Sequence, residues 1–130
     1  MLTGTFGIEI EMTGITREKA AKIIEDEIGG EITRLNDSYD TKEIKGQDER
    51  KWKIVSDSSI RKENVRGKTT NGDYSVEVVS PILTETDIDL VQRIARKLRA
   101  GGAKTNDSCG IHIHLDGSNH TVQSLSLIHI

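Results

Sequence analysis

Aromatic residues are scarce in this sequence: one Phe, one Trp and two Tyr among 130 residues. A core of this composition has to be built mainly from Ile, Val and Leu. There is one cysteine, Cys109, so an internal disulfide is excluded. No apolar run approaches the roughly 20 residues that cross a bilayer, and residues 1–12 lack the basic-then-apolar order of a secretory leader. Nor is there a long basic run: 18 Lys and Arg stand against 21 Asp and Glu, a formal charge of -3. Without such a run a phosphate backbone has little to bind. These absences lead to the expectation of a cytoplasmic protein with no membrane and no nucleic-acid partner.

What is present suits one ordinary domain. With 34% hydrophobic and 30% charged residues, the chain is too apolar for obligate disorder. A globule of this length hides roughly two-thirds of its extended-chain surface.

Hydrophobic periodicity divides the chain into elements. Thr5 to Met12 alternates, with Phe6, Ile8, Ile10 and Met12 on one side and Gly7, Glu9 and Glu11 on the other, which predicts a strand with one polar face. Thr16 is positioned to cap a helix reaching Ile28, where Ala20, Ala21, Ile23, Ile24 and Ile28 form an apolar stripe and Gly29-Gly30 a stop. A strand is expected over Glu31 to Leu35. Asn36 to Arg50 is polar and without a clear period, and reads as a surface loop or a loose hairpin. Trp52 to Ser56 and Tyr74 to Val79 read as further strands, the latter ended by Ser80-Pro81. A second helix is expected from Thr86, with Ile88, Val91, Ile94, Ala95 and Leu98 buried, Asp89 as its capping-box partner, and Gly101-Gly102 at its end. Ala103 to Asn106 is a candidate edge strand, and Gly110 to Asp116 alternates again.

Several charged residues interrupt these strands. Glu9 and Glu11, two apart on one strand, project from the same face about 7 Å apart. Such a pair is either solvent-facing decoration or a set of oxygen ligands for a hard cation such as Mg2+. His112 and His114 repeat the geometry beside Asp116, offering nitrogens to a metal or donors to a phosphate. Glu77 breaks a run otherwise suited to burial, and it is either an edge residue facing water or a carboxylate with a partner. Asp57 and Ser59 follow a strand, where such residues commonly make turns.

Taken in order, four segments resemble the signature blocks of the amidoligase family: Thr5-Phe6-Gly7-Ile8-Glu9-Ile10-Glu11-Met12, Trp52 to Ile60, Val76-Glu77-Val78-Val79-Ser80-Pro81-Ile82-Leu83, and Ser108-Cys109-Gly110-Ile111-His112-Ile113-His114-Leu115. That family is similar to glutamine synthetase and the gamma-glutamylcysteine ligases. The resemblance implies an α+β fold with a curved, mainly antiparallel sheet and two helices on one face. It implies an ATP-dependent carboxylate-amine ligase that forms an amide through an acyl phosphate, using Mg2+ or Mn2+, on small-molecule or peptide carboxylate and amine substrates. Glu9, Glu11, Glu77 and His112 take the family's metal positions, Ser80 and His114 the cofactor-binding positions, and Asp57 and Ser59 the catalytic, substrate-side positions. Glu9, Glu11, Glu77 and His112 are therefore expected on one sheet face, opposite the helices.

Two other readings use the same residues. The run His112-Ile113-His114-Leu115-Asp116 matches the start of the H-x-H-x-D motif of zinc hydrolases, although Gly117 stands where that motif continues with histidine. A non-catalytic binding module on the same fold is the third. The expected organisation is one partial catalytic domain over residues 1–124. Leu125 to Ile130, which match the translation of a transposon-end sequencing adapter, are expected to be a non-native tail beginning after Ser124.

Overall fold

The computed structural model describes residues 4–116; the expected tail and domain end near Ser124 lie outside the described residues. The first strand, β1 (Thr5–Met12), forms as its alternation requires. Phe6, Ile8, Ile10 and Met12 point into the core, none more than 3% exposed. Helix α1 (Arg17–Ile28) starts where Thr16 Oγ1 accepts the Lys19 N–H at 3.2 Å. It ends at Gly29, whose φ of 65° is the left-handed cap that glycine adopts without a Cβ penalty.

Four strands follow: β2 (Glu31–Arg34), β3 (Lys42–Lys45), β4 (Lys51–Val55) and β5 (Val76–Val79). Helix α2 (Ile88–Ala100) and β6 (Ile111–Asp116) complete the fold. The six strands form one open sheet in the order β2-β3-β4-β5-β1-β6, and every neighbouring pair is antiparallel. The result is the α+β class. Ala20, Ala21 and Ile24 of α1 and Val91, Ile94 and Leu98 of α2 join the strand residues Ile8, Ile10, Ile44, Trp52, Ile54 and Val78 in one cluster. Both helices thus bury the apolar face of the sheet, and the polar face is left to chemistry.

The structure departs from the sequence reading in three places. The segment Asn36 to Arg50, expected as a surface loop or a loose hairpin, contains a central strand, β3, because Ile44 and Lys42 turn inward between β2 and β4. Lys42 is only 5% exposed, yet its Nζ reaches Asp40 at 3.3 Å and Glu18 at 3.7 Å, so its stem packs while its charge stays paired. The second helix begins later than Thr86. A 3-10 turn (Glu85–Asp87) precedes it, and the capping carboxylate is Asp87, which accepts the Thr84 N–H at 2.9 Å. Asp87 also takes both terminal nitrogens of Arg50 at 2.9 Å, tying this turn to the β3–β4 connection. Finally, the expected edge strand over Ala103 to Asn106 is reduced to one bridge between Thr13 and Lys104.

Candidate functional site

Strand register decides which charges meet. Glu11 stands opposite Glu77 across the β1–β5 ladder, and Glu77 stands opposite Val55 of β4. On the other side of β1, Glu9 faces His112 and Gly7 faces His114. Cross-strand partners share a face, so Glu9, Glu11, Glu77, His112 and His114 all project from the side away from the helices.

Asp57 enters this group from the end of β4. The buried Ser75 hydroxyl accepts the Asp57 N–H at 2.7 Å and donates to the Asp57 carbonyl at 2.7 Å. The Ser75 carbonyl accepts Arg17 Nη1 at 2.8 Å, and the same nitrogen donates to the Gly72 carbonyl at 2.7 Å. The Asp57 side chain is held as well: Oδ1 accepts the Ser59 N–H at 2.9 Å and the Ser59 hydroxyl at 2.7 Å. Backbone and carboxylate of Asp57 are therefore both fixed.

The outcome is that oxygens of Glu11, Asp57 and Glu77 lie within 4.8 Å of one another. Among the described residues, no lysine or arginine forms an ion pair with these three carboxylates. Their titration reflects the crowding. Burial, then the neighbouring Glu9 and Asp57 carboxylates, push Glu77 up to about 7. A hydrogen bond shared with Asp57, then burial, raises Glu11, while the His112 imidazole acts in the opposite direction. Asp57 is lowered to about 2, first by the hydrogen bond from Glu11 and then by Ser59. The three groups behave as a set of acids that shares protons, the expected response of like charges placed together.

The remaining residues singled out from the sequence fall around this cluster. Glu9 hydrogen-bonds Glu77 and also contacts Nε2 of His114. His112 lies near Glu11, on the exposed strand β6. Ser59 acts on Asp57. Ser80 is spent on the backbone, its hydroxyl accepting the Ile8 N–H at 2.9 Å and donating to the Pro81 carbonyl at 2.8 Å. The structure thus brings Glu11, Glu77 and Asp57 together, keeps Glu9, His112 and His114 beside them, and gives Ser80 a role in joining β5 to β1.

Three hard carboxylates without a basic partner fit an oxygen-preferring divalent ion such as Mg2+ or Mn2+. Among the described residues, the donor atoms close enough to share an ion include no histidine nitrogen, unlike a typical zinc hydrolase site. Two residues that sequence reasoning did not single out matter here. Ser75 anchors Asp57, and Tyr39 lines a cavity of about 390 Å3 with Val55, Ser56, Asp57, Ser58 and Glu77. Neither carries a periodic or motif signal, since both act through long-range packing.

A family model described as "putative amidoligase enzyme" matches residues 3–129. No curated protein and no solved structure matches the chain.

Proposed function

The chain belongs to the amidoligase enzyme family, and on that premise we propose that it serves an ATP-dependent joining of a carboxylate to an amine, with Glu11, Asp57 and Glu77 as the oxygen ligands of Mg2+ or Mn2+. The observation that carries this reading is the convergence of those three carboxylates with no lysine or arginine ion-paired to them among the described residues. Such a group costs free energy unless a cation or a shared proton compensates it.

A carboxylate does not accept an amine directly, because its oxygen is a poor leaving group. In the proposed sequence a substrate carboxylate oxygen attacks the γ-phosphorus of ATP; the new O–P bond replaces the bond to the β-phosphate oxygen, and ADP leaves. The amine nitrogen then attacks the acyl carbon, the C–N bond replaces the C–O bond, and phosphate departs with the proton that nitrogen loses. A divalent ion, when bound, would neutralise the phosphate charge gathered in both steps. Glu11, Asp57 and Glu77 would fix that charge at one end of the polar face. Ser59 and Ser75 hold Asp57 in place, and His112 and His114 would donate hydrogen bonds to phosphate oxygens beside it.

The test uses the full-length protein. Phosphate release from ATP should require Mg2+ or Mn2+ and a suitable carboxylate, and Glu11→Gln should abolish it without unfolding the protein. Phosphate release that survives Glu11→Gln, or ester and amide hydrolysis supported by zinc without ATP, would overturn the proposal.

A further inference from the structure

Arg17 is out of place by local rules. It is the first residue of α1, directly after the Thr16 cap, where the positive end of the helix dipole disfavours a cation. It is also only 7% exposed, and arginine is rarely buried unless it is paired. The helix gains nothing from it there. Its partners all lie in other segments, and all three guanidinium nitrogens are engaged. Nη1 donates to the Gly72 carbonyl at 2.7 Å and to the Ser75 carbonyl at 2.8 Å, Nε donates to Asp40 Oδ2 at 3.0 Å, and Nη2 lies 3.6 Å from Asp73 Oδ1.

These contacts bracket the end of β4. On one side the residue before Asp40, Tyr39, accepts the Ser56 N–H on its carbonyl at 3.0 Å. Asp40 holds a φ of 49°, uncommon for a non-glycine residue, while paired to Arg17 and, at 3.3 Å, to Lys42. On the other side stands Ser75. Its N–H donates to the Gly72 carbonyl at 3.1 Å and its own carbonyl accepts Arg17, so the hydroxyl that binds both backbone groups of Asp57 projects from a fixed backbone. Ser75 also leads directly into β5, with Glu77 two residues further on. One buried guanidinium therefore joins the β2–β3 loop, which holds Ser56, to the β4–β5 loop, which holds Asp57 and starts the strand of Glu77.

We propose that Arg17 is a positioning residue of the metal site: without touching the ion, it sets where the Asp57 carboxylate stands relative to Glu11 and Glu77. The assignment rests on the metal reading above. Ligand oxygens that drift apart no longer close on one ion, and Mg2+ in particular demands near-ideal octahedral geometry. Lysine cannot replace Arg17 here, because a compact ammonium does not reproduce a planar fork that spans two loops.

The experiment is calorimetric Mn2+ titration of the full-length protein, with thermal melting in chelator to establish folding. Arg17→Lys keeps the charge and should lower Mn2+ affinity by roughly tenfold, the lower end of what changes to the partners of metal ligands cost. In an Asp57→Asn background the same change should have no further effect, because no carboxylate is left for it to misplace. Glu27→Gln breaks the pairs of α1 with Arg93 and Lys97 of α2, both at 2.7 Å. It should lower the melting temperature and leave Mn2+ affinity unchanged, which separates position from stability. If Arg17→Lys does not fold, Asp40→Asn loosens the same clasp with a residue tolerated at positive φ, and should give a smaller loss with the same dependence on Asp57. Unchanged Mn2+ affinity in the folded variant, or a loss that persists in full in the Asp57→Asn background, overturns the proposal. If the unsubstituted protein binds no Mn2+, or Asp57→Asn does not weaken it, the metal reading fails and this assignment with it. Mn2+ binding that needs Asp57 but ignores Arg17 removes the positioning role alone.

Discussion

Glu11 and Glu77 are direct partners across the β1–β5 ladder, placing like charges where opposite charges or apolar pairs would stabilise a sheet. The proposed metal site accounts for this choice: both oxygens would face the ion, and Glu11, 8% exposed, cannot turn freely into water.

In metal-free protein at neutral pH, Glu11→Gln should therefore raise stability by roughly 0.5–1 kcal/mol, the scale of a cross-strand pair. The same change should weaken Mn2+ binding by more than the roughly 10- to 100-fold that outer-sphere changes cost. Thermal melting in chelator and calorimetric titration with Mn2+ measure the two effects. Glu43→Gln, on β3 between Lys51 and Lys53 at 3.9 and 3.8 Å, should leave Mn2+ binding unchanged.

The pH dependence of the metal-free protein follows from the same cluster. Glu77 titrates at about 7 in the fold against 4.5 as its ordinary value. Between those values the folded state holds more protons than the unfolded chain, so the Glu77 contribution is fully present below 4.5 and is lost as pH rises through about 7. Asp57 works oppositely: its contribution is present above 3.8 and is lost as pH falls through about 2. The melting temperature of Glu77→Gln relative to the unsubstituted protein should thus climb steadily from pH 4.5 to above about 7. A flat difference across that range would mean that Glu77 is not crowded by its neighbours.

Ser75 should act on metal binding without touching the metal. Removing its hydroxyl leaves the N–H and carbonyl of Asp57 without their partner, at about 1–3 kcal/mol in stability. It should also loosen Mn2+ binding by roughly 10- to 100-fold. In an Asp57→Asn background, Ser75→Ala should leave Mn2+ affinity where Asp57→Asn already set it. Additive losses in that double-mutant cycle would show that Ser75 acts elsewhere.

The expected site was partly legible in the chain itself. Strict alternation from Thr5 to Met12 settles which side chains of β1 face the core, because successive residues of a strand point to opposite sides. That places Glu9 and Glu11 together on the polar face. The Thr16 cap and Gly29 stop delimit α1 for equally local reasons, a side-chain oxygen that satisfies an early N–H and a residue free to adopt positive φ. Strand β3 is harder to read. With Lys at both ends and Glu inside, Lys42–Lys45 carries little strand signal of its own, and its ladder bonds to β2 and β4 supply what propensity does not.

The sequence by itself determined the alternating strands, the capped first helix, the family resemblance and the residue types available for metal chemistry, since each depends on spacings of a few residues. The tertiary structure decided which of those residues meet. Glu11 and Glu77 are 66 positions apart and become neighbours through antiparallel register. Asp57 joins them because Ser75, 18 positions later, binds both of its backbone groups. Register and long-range hydrogen bonds are properties of the folded chain as a whole, so the three-carboxylate cluster exists only once the sheet has assembled.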